Sequence, residues 1–275
     1  MKNLLARFRK PRPGRDPQAL LDLLGSHVAK RRVPNIAGEL ALPGRPRLAA
    51  PPVILVILFA SRAGSSYAGR LLANTPYFNE VTESFRPGHL DIYRERHGLA
   101  DTAATAQWAI DHHGTPQAFA LKGGFSQLIA GTLLGLWPEA LERTHFLLLD
   151  RRDRIAQAVS LFKAQESGRF HSVQPEGARM IEADYDADKI AFHLEHIARN
   201  HRRFAALLDE LGRPRRTVIY EDICADPAGF VRETCDWIGL APPETVATET
   251  DLAPLRDELS EAWIARFRRE HPEAG

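Results

Sequence analysis

The sequence predicts an α/β protein, a parallel sheet flanked by helices. Three observations lead there. Short, unbroken apolar runs recur at 53–59 (VILVILF), 118–121 (AFAL), 145–149 (HFLLL) and 217–220 (TVIY), the pattern of strands covered on both faces. Helix-like segments separate them. A stretch of small residues, Ala63-Gly64-Ser65-Ser66, follows the first run, where an α/β sheet places its ligand-binding loop.

The chain has 275 residues, 44% of them hydrophobic, enough for one large domain. Its net charge of +1 excludes the global basic field that drives non-specific nucleic-acid binding, so a small anionic ligand fits better than a polyanion. Two isolated cysteines, Cys224 and Cys235, make neither a disulfide framework nor a zinc site, and a reducing compartment is expected. The longest apolar run, from Val53 to Ala60, is too short to cross a membrane, and the N-terminus lacks a signal peptide's apolar core. A soluble, cytoplasmic protein is the expectation.

Residues 1–50 are read as a basic tail with a short helical extension. Lys2, Arg7, Arg9, Lys10, Arg12 and Arg15 precede the first acid, Asp16; the tail is taken as solvated, with a weak membrane-surface contact left open. Residues 17–30 carry Leu20, Leu21, Leu23, Leu24 and Val28 and predict an amphipathic helix. A proline-rich stretch from Pro43 to Pro52 then leads into the domain proper, residues 51–275.

There Ser61-Arg62-Ala63-Gly64-Ser65-Ser66 joins the strand at 53–59 to a helix beginning near Ser65. Small residues let backbone N–H groups close on an oxyanion, the helix start turns its positive end toward it, both hydroxyls donate, and Arg62 adds a full charge. The core is P-loop-like and suited to a nucleotide. Gly64 and Gly69 have the glycine spacing of nucleotide triphosphatases, but Arg70-Leu71 stand where that pattern needs lysine and a hydroxyl. A P-loop NTPase or kinase-like enzyme is therefore the alternative reading.

After the run at 145–149 come Asp150-Arg151-Arg152-Asp153-Arg154 and a helix with Ile155, Val159 and Phe162 toward the core. Three arginines at a strand's carboxyl end face either water or an anion. Arg152 and Ser160, eight apart, could grip one group from the loop and the helix, one with a planar fork of donors and the other with a hydroxyl. The alternative is a solvated loop in which Asp153 caps the helix and the arginines pair with acids. Further helices are predicted over 186–211, where Ile190, Leu194, Ile197, Phe204, Leu208 and Leu211 share a stripe before Gly212 and Pro214, and over 226–239, from an Asp-Pro start to Gly239.

In this order the motifs resemble the sulfotransferases that use 3′-phosphoadenosine 5′-phosphosulfate, PAPS. The family's [PS]-[KR]-[SA]-G-[ST]-[ST] loop, which holds the 5′-phosphosulfate, is matched by Ser61 to Ser66. Its arginine and serine eight apart, which hold the 3′-phosphate, fall on Arg152 and Ser160. Its tyrosine-glutamate-aspartate strand end, proline-started helix and Trp/Phe-x-Gly fall on Tyr220-Glu221-Asp222, Pro227 and Trp237-Ile238-Gly239. Within the family, RRDRIAQAVSLFKA looks most like the bacterial Stf0 group, whose known member sulfates trehalose. The sequence departs from the family at Ala63, where serine is usual, and at Tyr67, where leucine or tryptophan is usual. The first 50 and last 35 residues carry no part of the resemblance.

The resemblance implies metal-free transfer of a sulfuryl group from PAPS to a hydroxyl of a carbohydrate, glycolipid or small metabolite. Arg62, with the Ser65 and Ser66 donors, would stabilise the leaving phosphate. Lys122, in ALKGG at the carboxyl end of the third strand, is the second candidate, against the plainer reading of a solvated lysine. The base would be Glu83, in NEVTESFRP after the second strand, because the Stf0 group carries a catalytic carboxylate soon after the first helix. Spacing alone does not separate Glu83 from Glu80, and other branches use a histidine, for which His89, His112, His113 and His171 are the candidates. A non-catalytic PAPS- or nucleotide-binding protein is a further alternative. No nucleic-acid partner is expected, and a homodimer is left open.

Overall fold

Each apolar run becomes a strand in the computed structural model, which describes residues 16–170, 174–175, 177–253 and 255–274. Val53–Phe59 (β1), Ala118–Gly123 (β2), Thr144–Asp150 (β3) and Arg215–Ile219 (β4) form one parallel sheet in the order β2-β1-β3-β4. The inner strands β1 and β3 are buried along nearly their whole length, which is why their sequences are continuously apolar and do not alternate.

The helices, in chain order, are Pro17–Ser26 (α1), Arg32–Leu40 (α2), Ser65–Ala73 (α3), Pro87–His97 (α4), Thr102–His113 (α5), Phe125–Leu133 (α6), Arg154–Ser167 (α7), Ala187–Leu211 (α8), Tyr220–Ala225 (α9), Pro227–Trp237 (α10) and Glu258–Glu270 (α11). Their starts are set locally. Asp16, Asp101, Asp153, Asp226 and Asp257 each accept a backbone N–H from the first turn of α1, α5, α7, α10 and α11.

Contacts fall into two units. One takes the described residues up to Val56, Tyr77–Phe146 and Ala206–Arg215; in it α1 and α2 pack on α6, and α4 packs on α5. The other takes Ile57–Pro76, Leu147–Ala205 and the described residues from Arg216 onward. Its core joins Ile155, Val159 and Phe162 of α7 to Ile190 and Ile197 of α8 and to Trp263, Ile264 and Phe267 of α11. No helix among the described residues is long and apolar enough to cross a membrane.

The structure corrects the sequence reading at three places. The helix expected over 17–30 ends at Ser26, whose hydroxyl turns back to the Leu23 carbonyl at 2.7 Å, and a separate helix, α2, follows. Past Leu24 only Val28 and Ala29 were available to extend the buried face. The second strand expected before Glu83 is a single bridge from Thr82 to Leu121, so the strand carrying Lys122 is β2. The polar segment 79–85 satisfies its backbone singly, with Asn79 and Glu80 N–H on the His113 carbonyl and Phe85 N–H on Gln127 Oε1, and leaves no ladder to form. Tyr220 is not a strand end. β4 stops at Ile219 and Tyr220 opens α9, with Glu221 and Asp222 in the first turn, where a helix favours acids. The basic residues Lys2 to Arg15 and His171 lie outside the described residues.

Candidate functional site

The loop after β1 turns on two residues in the left-handed region, Arg62 at φ +67° and Gly64 at φ +85°. Gly64 admits no side chain: a Cβ there would lie 2.1 Å from Tyr220 Cδ2. α3 starts at Ser65 and sets the positive end of a helix beside the loop. From α7, the buried Gln157 donates to the carbonyls of Ala60 and Ser61 at 3.3 and 2.9 Å. Leu71 is fully buried and Arg70 pairs with Asp251 at 3.1 Å. The two positions that triphosphate chemistry needs thus serve packing and a surface ion pair, which removes the basis of the NTPase alternative.

Arg62 crosses to α7. Its Nε donates to Ser160 Oγ at 2.9 Å, and its NH1 donates to the Phe170 carbonyl. Both partners are neutral, and among the described residues no carboxylate pairs with this half-buried guanidinium. Burial pushes its pKa down, and the neighbouring Arg151 pushes the same way. Arg151 lies over the Tyr220 ring, 5.2 Å from its centroid, with Nε 3.5 Å from Glu221 and NH1 3.4 Å from the Arg62 carbonyl. A cation so enclosed favours an incoming anion.

Arg152 behaves as the pairing alternative describes, with NH2 on Asp222 Oδ1 at 2.9 Å; Arg154 meets Asp150 at 2.8 Å, and Asp153 caps α7. The Asp222 hydrogen bond holds the Arg152 pKa above its ordinary value. That pair is open to water, each side chain 63% exposed, so a phosphate can displace it. Ser160 is joined to Arg62, and Arg152 to Asp222 instead of to Ser160.

Several supporting residues carried no legible role. Glu221 accepts the backbone N–H groups of Arg152 and Asp153, at 2.9 and 3.4 Å, and so shapes the turn before α7. Tyr220 covers Gly64 and Arg151, and its phenol is pushed up to about 12 by burial and a hydrogen bond with Cys224. Gln157 had one signal only, its place one helical turn before Ser160.

Glu83 and Lys122 belong to the other unit. Lys122 N–H donates to the Thr82 carbonyl at 2.9 Å, which places Glu83 immediately after the bridge to β2. Lys122 is buried, unlike the solvated lysine of the plainer reading. The Glu83 carboxylate is 4.0 Å from Arg86. Burial lowers the pKa of His89, whose ring bonds to the Glu83 carbonyl and feels the Glu83 and Lys122 charges. His112 is exposed and stacks on Trp108 at 4.5 Å. His113 is buried with one ring nitrogen 3.1 Å from Ser84 Oγ and the other 3.5 Å from Glu80, which leaves neither for an acceptor hydroxyl.

The profile of the family described as Stf0 sulphotransferase matches residues 128–270. The match takes in Arg152, Ser160, Tyr220 and α11, and so reaches beyond the segment where the sequence resemblance ended; the 61–66 loop, Glu83 and Lys122 precede it. Among solved structures, the chain is similar to a sulfotransferase from Alicyclobacillus acidocaldarius, at 16% identity over 82% of this chain and 94% of that one, with a TM-score of 0.43. It is also similar to the sulfotransferase domain of the olefin synthase from Synechococcus PCC 7002, at 16% identity over 82% and 90%, with a TM-score of 0.42. A third is sulfotransferase STF9 from Mycobacterium avium, at 13% identity over 93% and 77%, with a TM-score of 0.40. No curated protein matches the chain. With more than half of its residues inside the family match, the chain belongs to the Stf0 sulfotransferase family, and its activity is sulfuryl transfer.

Proposed function

We propose that the sulfuryl donor is PAPS and that the acceptor is a hydroxyl of a carbohydrate, glycolipid or small metabolite. The observation that carries this reading is Arg62, a half-buried cation whose hydrogen-bond partners among the described residues are neutral, reaching from the first loop to the serine of the second motif. Ser61, Arg62, Ala63, Gly64, Ser65 and Ser66 hold the 5′-phosphosulfate, and Arg152 and Ser160 hold the 3′-phosphate.

Bound there, PAPS supplies a sulfuryl group whose S–O bond to phosphate breaks as the acceptor oxygen bonds to sulfur. Arg62 neutralises the charge that grows on the departing phosphate oxygen, and the Ser65 and Ser66 hydroxyls donate to it. Lys122 is the second cation for that charge. Glu83 takes the acceptor's proton. The reading calls for no metal. A cytoplasmic location is supported by two cysteines that stay unbridged, Cys224 exposed and Cys235 buried.

Calorimetric titration of PAP and AMP, without magnesium, tests the donor. PAP should bind at least about tenfold tighter, because only it carries the 3′-phosphate. Arg152→Ala should remove most of that preference and Ser160→Ala part of it, with AMP affinity little changed. Equal affinity of the wild-type protein for the two nucleotides would overturn the PAPS reading. An acceptor screen with labelled PAPS identifies the hydroxyl.

A further inference from the structure

His113 holds both ends of the segment that carries Glu83. Its carbonyl accepts the N–H groups of Asn79 and Glu80 at 2.9 and 3.0 Å, and its ring Nδ1 lies 3.1 Å from the hydroxyl of Ser84, next in sequence to Glu83. The other ring nitrogen, Nε2, faces Glu80 Oε2 at 3.5 Å. A carboxylate only accepts, so Nε2 carries the hydrogen and Nδ1 accepts from Ser84. Ser84 and His113 are 0% and 2% exposed, so water does not compete for that bond. Tyr93 and Trp108 stand edge-on to the ring at 5.4 and 5.6 Å and fix its plane.

The neighbours of Glu83 are held one by one. The Thr82 carbonyl takes the Lys122 N–H, the Thr82 hydroxyl lies 3.2 Å from Ser84 Oγ, and Phe85 N–H reaches the buried Gln127. Between Thr82 and Phe85, Glu83 alone presents a polar side chain that makes no hydrogen bond among the described residues. A clamped backbone presenting a carboxylate whose ion pair to Arg86 is long, at 4.0 Å, is an arrangement that suits a general base.

We propose that His113 is a positioning residue for sulfuryl transfer: through the Ser84 hydroxyl it fixes the backbone from which the Glu83 carboxylate takes the acceptor's proton. This rests on Glu83 being the base. His113 touches no substrate. It sets where Glu83 stands, and the ring's own orientation is set by Glu80, Tyr93 and Trp108.

The test compares the full-length wild type with His113→Ala, His113→Asn, Ser84→Ala, Glu83→Gln and the His113→Ala/Glu83→Gln double variant. Amide hydrogen exchange is read over residues 79–86, and PAP release is followed from labelled PAPS with the acceptor that the labelled-PAPS screen identifies. His113→Ala and Ser84→Ala should speed exchange in that segment about tenfold. They should lower kcat about ten- to a hundredfold at unchanged KM for PAPS. His113→Asn, whose amide oxygen can take the Ser84 hydroxyl, should restore most of both. In the Glu83→Gln background, His113→Ala should cost nothing further.

Unchanged exchange over 79–86 in Ser84→Ala would overturn the proposal, as would an equal loss of kcat from His113→Ala with and without Glu83→Gln. Wild-type turnover by Glu83→Gln would overturn the base reading and the proposal with it. The exchange data then separate that failure from a failure of the His113 contact.

Discussion

Arg62 and Ser160, 98 residues apart in sequence, are joined by a hydrogen bond of 2.9 Å from Nε to Oγ. The bond closes the loop after β1 against α7. A residue expected at the donor's 5′ end and one expected at its 3′-phosphate therefore share a contact, which a ligand carrying both groups could replace under the PAPS reading. Such an exchange would give the guanidinium anionic oxygens in place of a hydroxyl and a carbonyl, and charge-assisted bonds are the stronger ones.

Arg62→Ala should weaken PAP binding and slow transfer together, each by about tenfold or more, since the charge it neutralises grows as the S–O bond breaks. Arg62→Lys keeps the charge but loses the planar fork that reaches Ser160 and Phe170, and should recover only part of both. Calorimetry and single-turnover PAP release separate the two effects. A rise in the KM for PAPS alone would confine Arg62 to ground-state binding.

Gly64→Ala should destabilise the protein by about 1–3 kcal/mol, because the new methyl meets Tyr220 and the backbone is left-handed. Urea unfolding measures the loss. Adding Tyr220→Ala should relieve the collision but not the backbone strain, so partial recovery is expected. Full recovery would show that φ +85° costs nothing at this site.

Glu83→Gln should keep PAP affinity and slow transfer by about 10²- to 10⁴-fold, the usual scale of general-base help. The measurement is PAP titration beside labelled-PAPS turnover. A near-normal rate would move the base elsewhere, first to Glu80 or His89.

Acid should destabilise the protein from the histidine range downward. Burial depresses the pKa of both His113 and His193 below the ordinary 6.5, so the fold favours their neutral forms. Their contribution is complete above about pH 6.5 and is lost as pH falls through the lower, folded-state values. The urea midpoint should therefore drop between about pH 7.5 and 5, and His113→Gln should flatten part of that slope. A midpoint constant over that range would contradict it.

The strands were legible because burial on both faces makes a run of apolar residues with no polar interruption, as in β1. The loop was legible because only small residues let a backbone close on an anion, and Gly64 is small for a reason visible in the fold. The partners were not. Nothing local says that Tyr220 will lie on Gly64, that Arg62 will reach Phe170, or that Gln157 will turn inward. The supposed strand before Glu83 failed for a related reason: its valine and threonine suit a ladder, and Thr82 does bridge to β2, but the N–H groups of Asn79, Glu80 and Phe85 go to His113 and Gln127, residues distant in sequence.

Gln157 is 1% exposed, and its amide holds Ala60 and Ser61 from the same helix that carries Ser160. The loop backbone cannot slide along α7 without stripping two carbonyls of a donor that no water replaces. The span from the loop to Ser160 is thereby dictated by protein alone, and the pair of them works as a calliper. Under the PAPS reading, a nucleotide whose second phosphate sits on a neighbouring ribose oxygen brings the right chemistry at the wrong length, and is refused by measurement, with no need of repulsion.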